Sequence, residues 1–185
     1  MIRLVVANEH TAILSTLCAE CPYSPAGCCT APPRVDLSDI ARIVRLGGRD
    51  WLLAEIEAGR LVVREQWLSI HRRKKVPRPG GPRIAVCVYH GDRGCTIAPE
   101  RRAATCNYYV CEEALSNGGP ASPRAREVHA ELAERFARWD AELARRVKAE
   151  WPDGPPFDAA FLDWLGATAA ELAGSASEQA LPRRP

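Results

Sequence analysis

Apolar residues in the C-terminal third of the chain recur every three or four positions, which is the period of an amphipathic helix. Ser122 can cap this helix, Pro123 suits its first turn, and Pro152 ends the pattern. A shorter stripe with the same period follows that proline. The two stripes consist of Val128, Leu132, Phe136, Trp139, Leu143, Val147 and Trp151, then Phe157, Phe161, Leu165 and Leu172. They predict a C-terminal helical hairpin over residues 122–173.

The first half of the chain contains shorter patterns of both helical and strand type. Two helical stripes, one over residues 37–46 and one from Arg49 onward, stop at Gly47 and Gly59 respectively. Residues 61–71 and 84–90 are rich in β-branched and aromatic residues in partial alternation, which is typical of strands. The segment between these two strands is basic and rich in Pro and Gly, which predicts an exposed hairpin loop.

Together these elements predict an α+β fold with two parts and a tail. A small helix-rich domain with a short β-hairpin covers residues 1–118, and the helical hairpin over residues 122–173 follows it. Residues 174–185 are polar, contain proline and offer no apolar face, so we expect a disordered tail.

Charge and hydropathy narrow the class of protein. The chain carries 25 basic and 23 acidic residues, a balance that gives no reason to expect binding to nucleic acid. The apolar start of the chain is interrupted at Asn8, Glu9 and His10, and no run approaches the roughly 18 apolar residues of a transmembrane helix. We therefore expect a cytoplasmic protein with no membrane partner.

Eight cysteines form two groups within the predicted N-terminal domain. A C-x-x-C pair can present both sulfurs to one ion at about 2.3 Å, and the adjacent doublet in the first group can serve two ions or one ion and the core. Disulfides are uncommon in a reducing compartment, so the pattern favours metal ligation and a domain stapled by metal. The predicted metal ligands are Cys18, Cys21, Cys28 and Cys29 in the first group and Cys87, Cys95, Cys106 and Cys111 in the second.

Other interpretations of the cysteines stay open. A disulfide framework fits the even number, and one or two buried thiols could be ordinary core residues, most plausibly Cys111 or one of the doublet. A thioredoxin-like redox pair is disfavoured by the prolines that follow Cys21. His90 has C-x-x-H spacing from Cys87 and could replace a cysteine, although a turn histidine is the commoner role.

The cysteine pattern resembles a bacterial family of zinc- or iron-chelating domains named for the motif CxxCxxCC. The resemblance covers residues 18–111 and rests on the opening pair, the doublet, the DLSDIARIV segment and the later cysteines. Where the family has C-x-I-Y, an R-P pair and C-R, this chain reads Cys95-Thr96-Ile97, Arg101-Arg102 and Cys106-Asn107. The chain also departs from the family in having six residues between Cys21 and Cys28.

The resemblance implies metal chelation, with zinc or iron as the ion and an iron–sulfur cluster as one form of the iron. Some members of the family resemble protein lysine methylases that carry an iron–sulfur centre, so the alternative is an iron–sulfur enzyme that modifies proteins. The catalytic residues of such an enzyme are unknown. The C-terminal helices could bind a protein partner, and a zinc-ribbon-like adaptor for nucleic acid is disfavoured by the charge balance. All-thiolate sites suit both metals, so spacing does not choose between them.

Three spatial expectations follow for the site. We expect the two cysteine groups to meet in space, because the resemblance couples the two halves of the motif. Four thiolates on one Zn²⁺ carry a net charge of −2, and nearby cations can offset it. The candidates are Arg93, Arg101 and Arg102. Tyr108 and Tyr109 are expected to shield the metal.

Overall fold

The structure is a computed structural model that describes residues 2–5, 12–15, 27–78, 80–92 and 94–178. It combines helices with small antiparallel sheets, which confirms the α+β class. The strands are β1 (Ile2–Val5), β2 (Ala12–Ser15), β3 (Arg34–Val35), β4 (Leu61–Val63), β5 (Leu68–Ile70), β6 (Arg72–Arg78), β7 (Gly81–Cys87), β8 (His90–Gly91) and β9 (Gly94–Cys95). The helices are α1 (Leu37–Arg45), α2 (Arg49–Glu57), α3 (Ala104–Tyr108), α4 (Glu112–Ser116), α5 (Ser122–Glu150) and α6 (Ala159–Glu178).

The strands of the described residues form four separate sheets. β1 pairs with β2, β6 with β7 and β8 with β9, while β3, β5 and β4 form a three-stranded sheet in that order. Every pairing is antiparallel. Most of these pairs join neighbouring segments, so the sheets serve as local braces around the helices.

The predicted loop over residues 72–83 is wrong, because the basic segment is itself a strand. β6 pairs with β7 in a register that sets Val76 opposite Ile84. Val76 is buried beside Val86, and this contact fixes which face of β6 turns inward. The predicted strand over residues 61–71 is instead two short strands, because a turn closed by the Arg64 N–H and the Trp67 carbonyl folds the segment back on itself (2.9 Å).

The two short helices α1 and α2 confirm the sequence prediction. The helical stripe of α1 is buried through Leu37, Ile40 and Ile43. Gly47 and Gly59 follow the two helices with positive φ angles of 73° and 66°, the left-handed conformation that ends a helix without steric cost for glycine.

The long helix α5 also confirms its prediction, apart from the cap. Ser122 is the first helical residue rather than the cap, and its buried hydroxyl has no hydrogen-bond partner among the described residues. After α5, the Asp158 carboxylate accepts the Phe161 N–H (2.9 Å), which is the N-terminal capping interaction of α6. α6 continues to Glu178, so the first part of the predicted tail is helical, and residues 179–185 lie outside the described residues.

The largest core cluster joins the predicted hairpin to the N-terminal domain. α6 packs chiefly against α1, and Leu143 and Val147 of α5 lie with the buried residues of α6 in the same cluster as those of α1 and α2. The Asp140 carboxylate of α5 also accepts the Ser38 N–H at the start of α1 (3.2 Å). Residues 122–173 therefore share a core with the helices that precede them.

A second core cluster lies around the N-terminal half of α5. It contains buried residues from β1, β2, α3 and α4, none of which the sequence patterns predicted, together with Ala125 and Leu132 of α5. No helix in the described part of the chain is long and apolar enough to cross a membrane.

Candidate metal centre

Five cysteines approach one another although four separate segments carry them. Cys28 and Cys29 lie in a 3₁₀ turn over Gly27–Thr30, Cys87 ends β7, Cys95 ends β9 and Cys106 lies in α3. Cys18 and Cys21, the predicted C-x-x-C pair, lie outside the described residues.

The base of the β6–β7 hairpin holds the cysteine doublet. The strand register sets Arg72 opposite Cys87, and the Arg72 guanidinium donates to the Thr30 carbonyl at 2.9 Å. Cys29 also packs against the small cluster of Val76 and Val86. These contacts bring the turn that carries the doublet to the end of the strand that carries Cys87.

A second, tighter hairpin returns Cys95 toward Cys87. β8 and β9 pair so that His90 lies opposite Cys95, and both the N–H and the hydroxyl of Thr96 donate to the Tyr89 carbonyl (2.9 Å each). Gly91 is required here, because a Cβ at this position would lie 2.7 Å from the Thr96 side chain. His90, the alternative ligand, thus sits beside Cys95 in the backbone ladder.

Cys106 is positioned by a buried ion pair on α1. Asp39 accepts the N–H of Ala104, the first residue of α3, at 2.6 Å. Arg42 donates to the carbonyls of Glu100 (3.3 Å) and Arg102, immediately before α3. Sequence reasoning missed both residues, and the available signal was that they lie three apart on the otherwise apolar face of α1.

The five thiols lie close enough to shift one another's pKa values. Burial raises the pKa of Cys106 to about 12, and negative charge on Cys95, Cys87 and Cys28 adds to this effect. Burial also raises the pKa of Cys87, again with contributions from Cys95 and Cys28. These mutual effects require short distances, because Coulomb interactions between sites fall with separation and are screened by water.

A hydrogen bond couples the two thiols of the doublet. A hydrogen bond from the Cys29 thiol lowers the pKa of Cys28 to about 6, and the same bond raises the pKa of Cys29. The charges of Cys28, Cys87 and Cys95 further disfavour ionisation of Cys29. The crowded thiols thus resist full ionisation in the absence of a cation.

Cys87, Cys95 and Cys106 also line a common cavity of about 20 Å³, with room for roughly one water-sized group. Arg101 and Arg102 line it as well, but both donate to backbone carbonyls: Arg101 to Leu46 (2.9 Å) and Gly47 (3.0 Å), and Arg102 to Ile97 (2.9 Å). Arg93 lies outside the described residues. The two arginines add positive charge near the thiols while holding the segments that carry them.

Three predicted participants are placed elsewhere. Cys111 precedes α4 and packs against the second core cluster. Tyr108 packs against His129 and Phe136 of α5, with ring centroids 5.4 Å and 6.1 Å apart, and Tyr109 is exposed. Cys111 and both tyrosines therefore belong to the helical side of the molecule.

The described residues do not by themselves form a finished coordination shell. Within residues 27–78, 80–92 and 94–178, as in the two N-terminal strands, no three His, Cys, Asp or Glu side chains are spaced to hold a metal ion. The chemistry of the donors fits a thiophilic metal, because five of the six described cysteines converge. Closing the shell requires side-chain rotation within this group or sulfur from Cys18 and Cys21.

In comparisons with protein-family models, with curated proteins and with solved structures, nothing matches this chain.

Proposed function

We propose that this chain is a metal-chelating protein whose two cysteine groups bind zinc or iron together. The observation that carries this proposal is the convergence of Cys28 and Cys29 with Cys87, Cys95 and Cys106. About 60 residues separate the doublet from Cys87, and specific contacts bring them together. Cysteines that serve only as buried core residues need not lie close to one another.

The electrostatics of the thiols supports the same function. Several neighbouring thiols that cannot all ionise in the metal-free state are stabilised as thiolates by a bound cation, so metal binding releases protons. Cys28, Cys87, Cys95 and Cys106 would supply the described ligands, while Cys29 would serve a second ion or remain protonated. Cys18 and Cys21 would complete the set.

Zinc and iron make different predictions for the purified protein. A structural zinc site is colourless and closed by four ligands, whereas thiolate-bound iron or an iron–sulfur cluster absorbs visible light. Anaerobic purification followed by elemental analysis and an absorption spectrum identifies the metal. Protein that contains neither metal, and that binds neither when reconstituted under reducing conditions, would overturn the proposal.

Serine substitutions test which cysteines are ligands. We expect Cys21→Ser and Cys87→Ser to lose most of the bound metal and to melt at lower temperature, because a serine hydroxyl neither ionises nor binds these metals as sulfur does. Cys111→Ser is the matched control and should keep its metal, because Cys111 packs in the second cluster. Equal metal content in Cys87→Ser and Cys111→Ser would contradict the ligand assignment.

The disulfide alternative is tested in the same preparations. Alkylation of the denatured protein, read by mass spectrometry, should label all eight cysteines if they bind metal. A disulfide framework would protect pairs of cysteines from labelling until a reductant is added, and it would survive a metal chelator.

A further inference from the structure

The hairpin formed by β6 and β7 concentrates the positive charge of the chain. Residues 72–87, which we name the basic ribbon, contain six basic residues and no acidic one. Six of the 25 basic residues and none of the 23 acidic residues therefore lie here, which leaves the rest of the chain with a net charge of −4. The net charge of +2 is thus the sum of +6 in the basic ribbon and −4 in the rest of the chain. The six residues are Arg72, Arg73, Lys74, Lys75, Arg78 and Arg83.

The backbone of these residues forms a two-stranded ribbon. Among the described residues no third strand pairs with β6 or β7. The ribbon is exposed at Lys75 and, toward its turn, at Pro77, Gly80, Pro82 and Arg83. Its base is held against the body of the protein by the hydrogen bond from Arg72 to the Thr30 carbonyl, and Cys29 packs against Val76 and Val86 on its inner face. The ribbon is therefore anchored at one end and accessible at the other.

We propose that the basic ribbon binds double-stranded nucleic acid through contacts with the phosphate backbone. Each strand has seven residues and spans about 20 Å, and the major groove of a duplex admits a two-stranded ribbon. A duplex carries about one phosphate per 1.7 Å of its axis, so several cations of the ribbon can meet phosphates at once. This inference goes beyond metal binding and does not depend on it.

The composition of the ribbon disfavours single-stranded nucleic acid. Proteins that bind single strands stack bases on aromatic side chains, and residues 72–87 contain no aromatic residue. An anionic membrane is disfavoured for a similar reason, because the exposed far end consists of Pro, Gly and charged residues with no large apolar side chain to insert.

The edges of the ribbon also disfavour a third kind of partner, an acidic peptide that would pair with β6 or β7 as an additional strand. Pro77 and Pro82 have no N–H to donate across an edge, and the register of β6 shifts both between Arg72 and Lys74 and between Val76 and Arg78. Prolines and irregular register are features that block strand addition. The charge of the ribbon is thus available to a partner while its backbone is not.

The experiment measures binding of a labelled duplex of about 20 base pairs by fluorescence anisotropy, in reducing buffer at several salt concentrations. We expect micromolar affinity at about 50 mM salt and about a hundredfold weaker binding at 200 mM, as four phosphate contacts require. Absence of binding at the lowest salt would overturn the proposal, as would tighter binding of a single strand or of anionic vesicles.

Two charge-matched variants locate the interaction. The ribbon variant leaves Arg72 and Arg83 intact, because both guanidinium groups donate to backbone carbonyls. It combines Arg73→Gln, Lys74→Gln, Lys75→Gln and Arg78→Gln. The helix variant removes the same charge from the exposed face of α5 by combining Arg124→Gln, Arg138→Gln, Arg145→Gln and Lys148→Gln.

The ribbon variant should bind at least tenfold more weakly with a reduced salt dependence, and the helix variant should stay within about twofold of the unmodified protein. Equal losses in both variants would show that net charge alone governs binding and would overturn the proposal. Circular dichroism and metal content confirm that each variant folds. If the fourfold ribbon variant misfolds, Lys75→Gln with Arg78→Gln replaces it, with an expected loss of several-fold.

Discussion

Asp39 and Arg42 show how two residues on one helix can organise a distant segment. Their side chains are 7% and 2% exposed, and the carboxylate and guanidinium lie 3.6 Å apart. A buried ion pair is costly to desolvate, and it stabilises a fold mainly when each partner makes further hydrogen bonds. Both residues do so, through the backbone of residues 100–104.

Asp39→Ala should therefore be strongly destabilising. The substitution leaves the Arg42 charge buried without its carboxylate and the Ala104 N–H without its acceptor, which should lower the free energy of unfolding by about 3–5 kcal/mol. Asp50→Ala is the control, since Asp50 is exposed and its loss should change stability by less than about 0.5 kcal/mol. Urea unfolding measures both, and similar losses would show that the buried pair has no special role.

The same carboxylate makes a testable contribution to pH dependence. Burial raises the pKa of Asp39 to about 6, although the Arg42 charge and the hydrogen bond from the Ala104 N–H both act to lower it. The folded state therefore holds this proton more tightly than the unfolded state, and the contribution of Asp39 to stability falls as pH rises from 3.8 to about 6. The unfolding free energy of the original protein minus that of Asp39→Asn should therefore fall as pH rises from 3.8 to about 6. A difference that does not change with pH would contradict the raised pKa of Asp39.

The sequence could not predict the role of Asp39 and Arg42 for a physical reason. An acid and a base three apart on a helix usually form a solvent-exposed pair. What buries them is a segment about 60 residues later, and no local pattern records that contact. The convergence of the cysteines was expected from the resemblance, whereas the contacts that produce it, such as Arg72 to Thr30, were not.

At the scale of elements, local periodicity predicted the helices better than the strands. α1, α2, α5 and α6 carry their own apolar stripes, so a single segment contains the signal. β6 looked like a loop because its Pro, Arg and Lys residues disfavour strands, and its pairing with β7 overrides that preference. β1 and β2 are each four residues long, too short for their alternation to stand out.

Gly166 of α6 lies against Val44 of α1, and this contact makes a prediction about substitution of the glycine. A Cβ at this position would lie 2.8 Å from the Val44 Cγ1, and a β-branched side chain has little freedom to move away. Gly166→Ala gains about 1 kcal/mol of helix propensity but incurs about 1–3 kcal/mol of overpacking. We expect a net loss of up to about 2 kcal/mol.

A double-mutant cycle separates these two effects. In a Val44→Ala background the obstructing methyl groups are absent, so Gly166→Ala should stabilise the protein by about 1 kcal/mol. Denaturant unfolding of the four proteins gives the coupling energy. Additive effects of the two substitutions would mean that the helices can separate slightly at no cost.

At the scale of the whole molecule, α5 connects the two core clusters. Leu132 is buried in the second cluster with β1, β2, α3 and α4, while Leu143 and Val147 are buried in the first with α1, α2 and α6. Cys87 is buried in the first cluster, whereas Cys106 lies on α3, whose Ala104 and Tyr108 are buried in the second, so the segments that carry the cysteines depend on both clusters. A continuous helix through both clusters should make them unfold together.

Ala137 tests this coupling, because it is exposed on α5 between the two clusters. Ala137→Pro removes one helical hydrogen bond and crowds the preceding turn, at a cost of about 3 kcal/mol or more, without removing any buried side chain. Ala137→Gly is the control, with an expected cost of about 1 kcal/mol and an intact helix. Hydrogen exchange followed by mass spectrometry reports each cluster separately, through residues 37–57 for the first and residues 104–116 for the second.

In the unmodified protein and in Ala137→Gly, the most protected amides of the two regions should exchange with similar free energies, as expected for one cooperative unit. In Ala137→Pro, residues 104–116 should lose protection first, because the second cluster contains fewer buried side chains than the first. Residues 37–57 should keep most of their protection from hydrogen exchange, since the first cluster contains the larger set of fully buried side chains. Equal loss of protection in both regions would show that the clusters are coupled by contacts other than the helix.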